Sequence, residues 1–228
     1  MRGYDLIERL SSGHAYEVWD AWSEERGCRV VIRVPRDGRR DHRRDLLREG
    51  RLLQRLTHPN IVRAYETRRR PPMVVLETLG GATLAALLEH GPLTRDDALE
   101  LGRQLCSAVG YLHRQGWLHL DLKPDNLIAD GGRLKLIDLS IAQSPGSIEP
   151  GTGTRGWMAP EQEREGTVTA AADVWGIGAV LRAAGLVDVA ERCLRDDAAE
   201  RPSVQDVVRW LDVKAVVRAS AQDQGPPS

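Results

Sequence analysis

The sequence predicts a two-part α+β architecture: a small β-rich amino-terminal lobe followed by a larger, mainly helical carboxy-terminal lobe. Three observations carry this. The first third holds short alternating and β-branched stretches around one amphipathic helix. A double glycine, Gly80-Gly81, closes that region. Beyond it, apolar residues recur mostly at helical spacing.

Apolar and polar residues alternate from Tyr16 to Ala21, and Arg29 to Val34 is rich in β-branched residues, so both segments are expected as strands. Pro35 and Gly38 close the second. From Arg43 to Leu56, leucines at 46, 47, 52, 53 and 56 form one face and arginines cover the rest, which predicts an amphipathic helix. Its arginines are interleaved with Asp41, Asp45 and Glu49, the pattern of a solvated face rather than a nucleic-acid patch. Arg70-Pro71-Pro72 signals a turn before a short buried strand, Met73 to Leu76.

After the double glycine, Leu84 to Leu88 reads as a short helix. Asp96 to Gln115 reads as a longer one, entered through Leu93-Thr94-Arg95 and stopped by Gly116. Two apolar strands, Leu127 to Ala129 and Leu134 to Ile137, are joined by the hairpin signal Asp130-Gly131-Gly132. Ser144 to Gly156 is expected as a loop, with helices through much of the remainder to about Val217. Ala221 to Ser228 has the composition of a disordered tail.

Bulk composition excludes several classes. The chain has 228 residues, 41% of them apolar and 29% charged, and a net charge of −1, so nothing draws it as a whole to nucleic acid or an anionic membrane. No apolar run has the length of a membrane span. Cys28, Cys106 and Cys193 are odd in number and lack metal-ligand spacing, which reads as reduced thiols and a cytoplasmic setting. Only Lys123, Lys135 and Lys214 among the 32 basic residues are lysine, and phenylalanine is absent.

The chemistry concentrates in residues 119 to 126, His-Leu-Asp-Leu-Lys-Pro-Asp-Asn, and in Asp138 at the end of the next hairpin. Asn126 and Asp138 offer the hard oxygen ligands that Mg²⁺ prefers. Asp121 with Lys123 gives a proton acceptor beside a positive charge, the parts phosphoryl transfer uses. Singly these residues mean little; Asp173 alone could be a helix cap and Pro160-Glu161 a helix start.

In order and spacing, however, they resemble a eukaryotic-type (Hanks-type) Ser/Thr protein kinase domain like those of bacteria, from about Tyr4 to Leu211. The resemblance implies a bilobal kinase fold, with an amino-terminal lobe and hinge over 1–79, a carboxy-terminal lobe over 80–217 and a tail over 218–228. It implies that Asp121 orients the substrate hydroxyl, Lys123 contacts the transferring phosphate, and Asn126 and Asp138 ligate magnesium (or manganese). Gly13, Val18, Val31, Arg33, Glu49, Glu77, Leu79 and Ile128 would hold ATP, with Leu76 at the gatekeeper. Thr154 would hydrogen-bond the catalytic aspartate. Glu161 of Ala159-Pro160-Glu161 would pair with Arg201, and Asp173 would tie down the catalytic-loop backbone.

The pattern also breaks. Around Gly13 the flanking glycines of the phosphate loop are replaced by Ser11 and Tyr16, and Arg33 replaces the strand-three lysine expected to pair with Glu49. Asp138-Leu139-Ser140 stands for D-F-G. Leu120 replaces the arginine before Asp121, so activity is expected not to require activation-loop phosphorylation. The stretch from Gly176 to Arg201 is short, which implies a missing or reduced helix. The expected function is ATP-dependent phosphorylation of an unidentified protein hydroxyl. A nucleotide-binding pseudokinase and a small-molecule phosphotransferase of the aminoglycoside or choline kinase type remain open.

Overall fold

In the computed structural model of the chain, which describes residues 1–164 and 166–222, the residues divide into two compact units. The first comprises Met1–Gly81 together with Ile137–Ser140; the second comprises Ala82–Leu136 and the chain from Ile141 onward. The boundary thus falls at the predicted double glycine, but four residues around Asp138 return to the first unit.

The first unit is a five-stranded antiparallel sheet in the order β1-β2-β3-β5-β4, formed by β1 (Tyr4–Ser12), β2 (Tyr16–Ser23), β3 (Cys28–Pro35), β4 (Ala64–Arg69) and β5 (Pro72–Glu77). Ala21, Val30, Ile32, Met73 and Val75 are fully buried from three neighbouring strands and make its core. Helix α1 (Arg40–Arg55) buries Leu46, Leu47, Leu52 and Leu53 on one face, as its spacing predicts, and Glu49 and Gly50 lie buried on that face too. Strands β1 and β4 carry no burial period in the sequence. In β1 only Tyr4 is buried and in β4 only Ala64, so backbone pairing rather than side-chain alternation makes them strands.

The second unit begins with β6 (Ala82–Thr83), whose Thr83 hydroxyl caps α2 (Leu84–Glu89). Helix α3 (Arg95–Arg114) is capped by Thr94, which accepts from the Asp97 amide at 3.2 Å. A short 3₁₀ turn, Pro124–Asn126, leads into the predicted hairpin of β7 (Leu127–Asp130) and β8 (Arg133–Leu136), and β6 completes this three-stranded sheet. The segment expected as a loop contains β9 (Gly146–Ile148), which pairs antiparallel with β10 (Gly166–Val168) across α4 (Pro160–Glu163). Both strands have only three residues and their pairing is non-local, so neither leaves a periodic signal.

Helices α5 (Ala170–Ala183), α6 (Val187–Cys193) and α7 (Val204–Gln222) follow, with a 3₁₀ turn at Ala198–Glu200. Only α6 and that turn stand between α5 and Arg201, consistent with the short stretch read from the sequence. Helix α7 takes in residues 218–222, which the sequence reading assigned to the tail; residues 223–228 lie outside the described residues. Among the described residues no helix is long and apolar enough to cross a membrane.

Candidate functional site

Each unit carries one cluster of the predicted site residues. In the second unit the segment before β7 is anchored by α5. Asp173, fully buried, accepts from the backbone amides of His119 and Leu120 and from His113, all at 2.8 Å. Burial by itself would raise its carboxyl, but the hydrogen bond and charge of His113, the His119 charge and the Leu120 amide outweigh it and hold the group below the usual carboxylate range. Gly176, one turn further along α5, lets the loop close in: a Cβ there would stand 2.8 Å from Leu122 Cβ. Leu120 is held with φ at +67°, a left-handed conformation costly for a leucine.

Asp121 projects from this anchored backbone. Its Oδ2 accepts from Lys123 Nζ at 2.9 Å and from Asn126 Nδ2 at 3.0 Å, and Asn126 also donates to the Asp121 carbonyl. Its Oδ1 is buried and has no hydrogen-bond partner. The hydroxyl of Thr154, expected to hydrogen-bond Asp121, instead accepts from Lys123 Nζ at 2.6 Å, so the link to Asp121 runs through the lysine. A short aspartate side chain already shared by Lys123 and Asn126 leaves the longer lysine to reach Thr154.

Further along, Arg201 pairs with Glu161 through two parallel bonds of 2.7 and 2.8 Å. Its remaining donors reach the carbonyls of Ala171, Arg195 and Asp196, and the guanidinium lies 5.2 Å from the Trp175 ring centre. All five N–H groups are therefore used, which is how a fully buried arginine is tolerated. Ile128, half-buried on β7, also belongs to this unit.

The second cluster lies in the first unit. Arg33 Nη1 donates to both oxygens of Glu49, at 2.8 and 2.9 Å, and Nη2 lies 3.5 Å from Asp138 Oδ2. Glu49 also accepts from the Leu139 amide at 3.0 Å. Burial works against both charges and pushes the Glu49 carboxyl up; at Arg33 the two carboxylates outweigh burial and raise its value. Asp138 has φ at +64°, its Oδ1 accepts from the Ser140 amide, and Arg48 donates to the Ser140 carbonyl. Leu139 is buried, as expected of the residue standing for phenylalanine.

Tyr16, in place of a loop glycine, lays its ring 4.5 Å from the Arg33 guanidinium, and burial pushes its hydroxyl up to about 12. The Gly13 amide donates to the Tyr16 carbonyl, closing the turn between β1 and β2. Val18 faces Arg33 across β2–β3, and Val31 faces Leu76 across β3–β5. Glu77 accepts from the Arg63 amide, and Leu79 follows β5, half-buried. Sequence reasoning missed two participants. The Tyr16–Arg33 stack has no spacing signature, and buried Gln162 bonds backbone groups that only tertiary structure brings to it.

Residues 4–185 match a family model described as protein kinase domain. The chain is similar to calcium/calmodulin-dependent protein kinase type 1 of Macrobrachium nipponense, at 34% identity over 188 residues, covering 78% of this chain and 54% of that protein. It is similar to CBL-interacting protein kinase 19 of Oryza sativa subsp. japonica, at 35% over 192 residues, 78% and 38%. It is also similar to human calcium/calmodulin-dependent protein kinase type 1B, at 32% over 189 residues, 78% and 54%. The chain spans about half the length, or less, of these curated relatives.

Proposed function

The chain belongs to the protein kinase domain family, and on that premise we propose that it is an ATP-dependent Ser/Thr protein kinase that transfers the γ-phosphate to a protein hydroxyl. The observation that carries this reading is the state of Asp121: one carboxylate oxygen fixed by Lys123 and Asn126, the other buried and unpartnered. A buried oxygen left without a donor is costly, and it is where an incoming hydroxyl would donate. As the hydroxyl oxygen bonds to the γ-phosphorus and the bond to the β-phosphate oxygen breaks, the proton passes to Asp121 and ADP leaves. Lys123, beside Asp121, offsets the negative charge of the transferring group.

Asn126 and Asp138 offer oxygen donors of the type Mg²⁺ takes. With its nitrogen turned to Asp121, the Asn126 amide keeps its oxygen for another partner. Mg²⁺, when bound, would neutralise phosphate charge. Among the described residues no group of three His, Cys, Asp or Glu side chains forms a resident metal site. Nucleotide phosphates supply oxygens of the kind Mg²⁺ also takes.

A second reading, a nucleotide-binding pseudokinase, is favoured by Arg33, whose guanidinium is engaged by Glu49, Asp138 and the Tyr16 ring. Transfer of ³²P from [γ-³²P]ATP to the chain itself or to a generic protein substrate, with Mg²⁺ or Mn²⁺, decides between them. The kinase reading requires signal from the wild type and its loss in Asp121→Asn. No signal from the wild type, together with an ATP-dependent thermal shift, would establish the pseudokinase instead.

A further inference from the structure

The segment that follows Asp138, from Ser144 to Glu163, is fastened to the catalytic loop by a side chain that no motif marks. Gln162 sits in α4 and is 2% exposed. Its Nε2 donates to the Leu120 carbonyl at 2.8 Å and to the Thr152 carbonyl at 2.9 Å, while its Oε1 accepts from the Ala159 amide at 3.0 Å. Its own carbonyl accepts from the Gly151 amide at 2.7 Å. Both amide protons and both carbonyls of this residue are thus committed to backbone, and three separate stretches of chain meet at it.

The packing around it is close. At Gly153, φ is +128°, and a Cβ there would stand 3.0 Å from Gln162 Nε2 and 3.1 Å from the Leu120 carbonyl. The Leu120 peptide is held from both sides: Asp173 accepts from its N–H, and Gln162 donates to its C=O. These two bonds bracket the residue whose left-handed conformation sets the direction in which Asp121 leaves the backbone. The Leu120 side chain meanwhile packs in an apolar cluster with Ala159, Val168 and Ala172, joined by Ile141 and Ile148. Strands β9 and β10 hold Ile148 and Val168 in that cluster.

We propose that Gln162 is a positioning residue that locks residues 149–157 and the Leu120–Asp121 peptide into one arrangement without any covalent modification. This rests on the kinase reading for its catalytic consequence, but the structural part stands apart from it. Gln162→Glu is nearly isosteric and replaces the two donated protons with an oxygen facing two carbonyl oxygens. Gln162→Met removes the donors without adding charge, and serves should the first variant fail to fold.

The experiment is amide hydrogen exchange on the full chain, alongside steady-state phosphorylation of a protein substrate. Both variants are expected to exchange about 10- to 100-fold faster at residues 151–154 and 121, with exchange across β2, β3 and α1 unchanged, the range expected when buried carbonyls lose their donor. In the kinase assay kcat should fall about 10-fold or more while the KM for ATP stays within about twofold, a split that general destabilisation would not produce. Unchanged exchange at 151–154, or equal acceleration over the whole chain, overturns the proposal. An inactive wild type overturns the kinase reading alone, because the exchange result still decides the role of Gln162.

Discussion

Arg33 donates from a single nitrogen to both carboxylate oxygens of Glu49, at 2.8 and 2.9 Å, and so leaves its second terminal nitrogen directed to Asp138, 3.5 Å away. One guanidinium thereby joins β3, α1 and the Asp138 segment. A lysine ammonium could form the first contact but has no planar fork with which to add the second and stack on Tyr16.

Arg33→Met should therefore leave Glu49 buried and unpaired and destabilise the first unit by about 3–5 kcal/mol. Arg33→Met with Glu49→Leu should cost less than the single change, because it removes both charges. Chemical denaturation of the two variants checks this; additive losses would mean the pair is not coupled.

Tyr16 is predicted to act through its ring face. Tyr16→Phe should leave stability nearly unchanged, since the hydroxyl donates only a 3.2 Å bond to the His42 carbonyl. Tyr16→Gly should cost about 1–2 kcal/mol through loss of the desolvated cation–π contact. Denaturation midpoints compare the two directly, and an equal loss in both would place the effect in the hydroxyl.

The carboxyl of Asp173 is held below its usual value only in the folded chain. Its contribution is fully present above its unfolded value of about 3.9 and is lost as the pH falls through that value toward the depressed folded one. Asp173→Asn should be less stable at neutral pH by about 1–3 kcal/mol, because an amide cannot accept from all three donors. Its stability should also fall less steeply below about pH 4. Acid titration followed by circular dichroism measures both, and parallel acid limbs would exclude Asp173 as the titrating group.

Removing the hydroxyl that accepts from Lys123, as in Thr154→Val, is expected to lower kcat about 10-fold, whereas Thr154→Ser should retain most activity. Full activity in Thr154→Val, with the loss confined to Thr154→Ser, would show that the methyl group, not the hydroxyl, matters.

Ser144→Ala and Thr152→Ala, singly and together, should retain activity, and phosphatase treatment of the wild type should not lower it. Leu120 offers a phosphate nothing to bind; its surroundings are Ala159, Val168 and Ala172. Loss of all activity in the double variant would show that loop phosphorylation is required.

By itself the sequence determined the α+β class, the break at Gly80-Gly81, the amphipathic face of α1, the β7–β8 hairpin and the motif from His119 to Asn126. These are legible because each depends on residues close in the chain, through period, turn chemistry or fixed spacing. Tertiary structure decided the rest. It made strands of β1 and β4, whose side chains show no alternation of burial, and it paired β9 with β10 across α4. It routed Thr154 to Lys123 rather than to Asp121, laid Tyr16 over Arg33, and brought the carbonyls of Leu120 and Thr152 to Gln162. Those contacts join residues distant in sequence through backbone groups or ring faces that every residue of their kind possesses, so only the folded chain selects which of them meet.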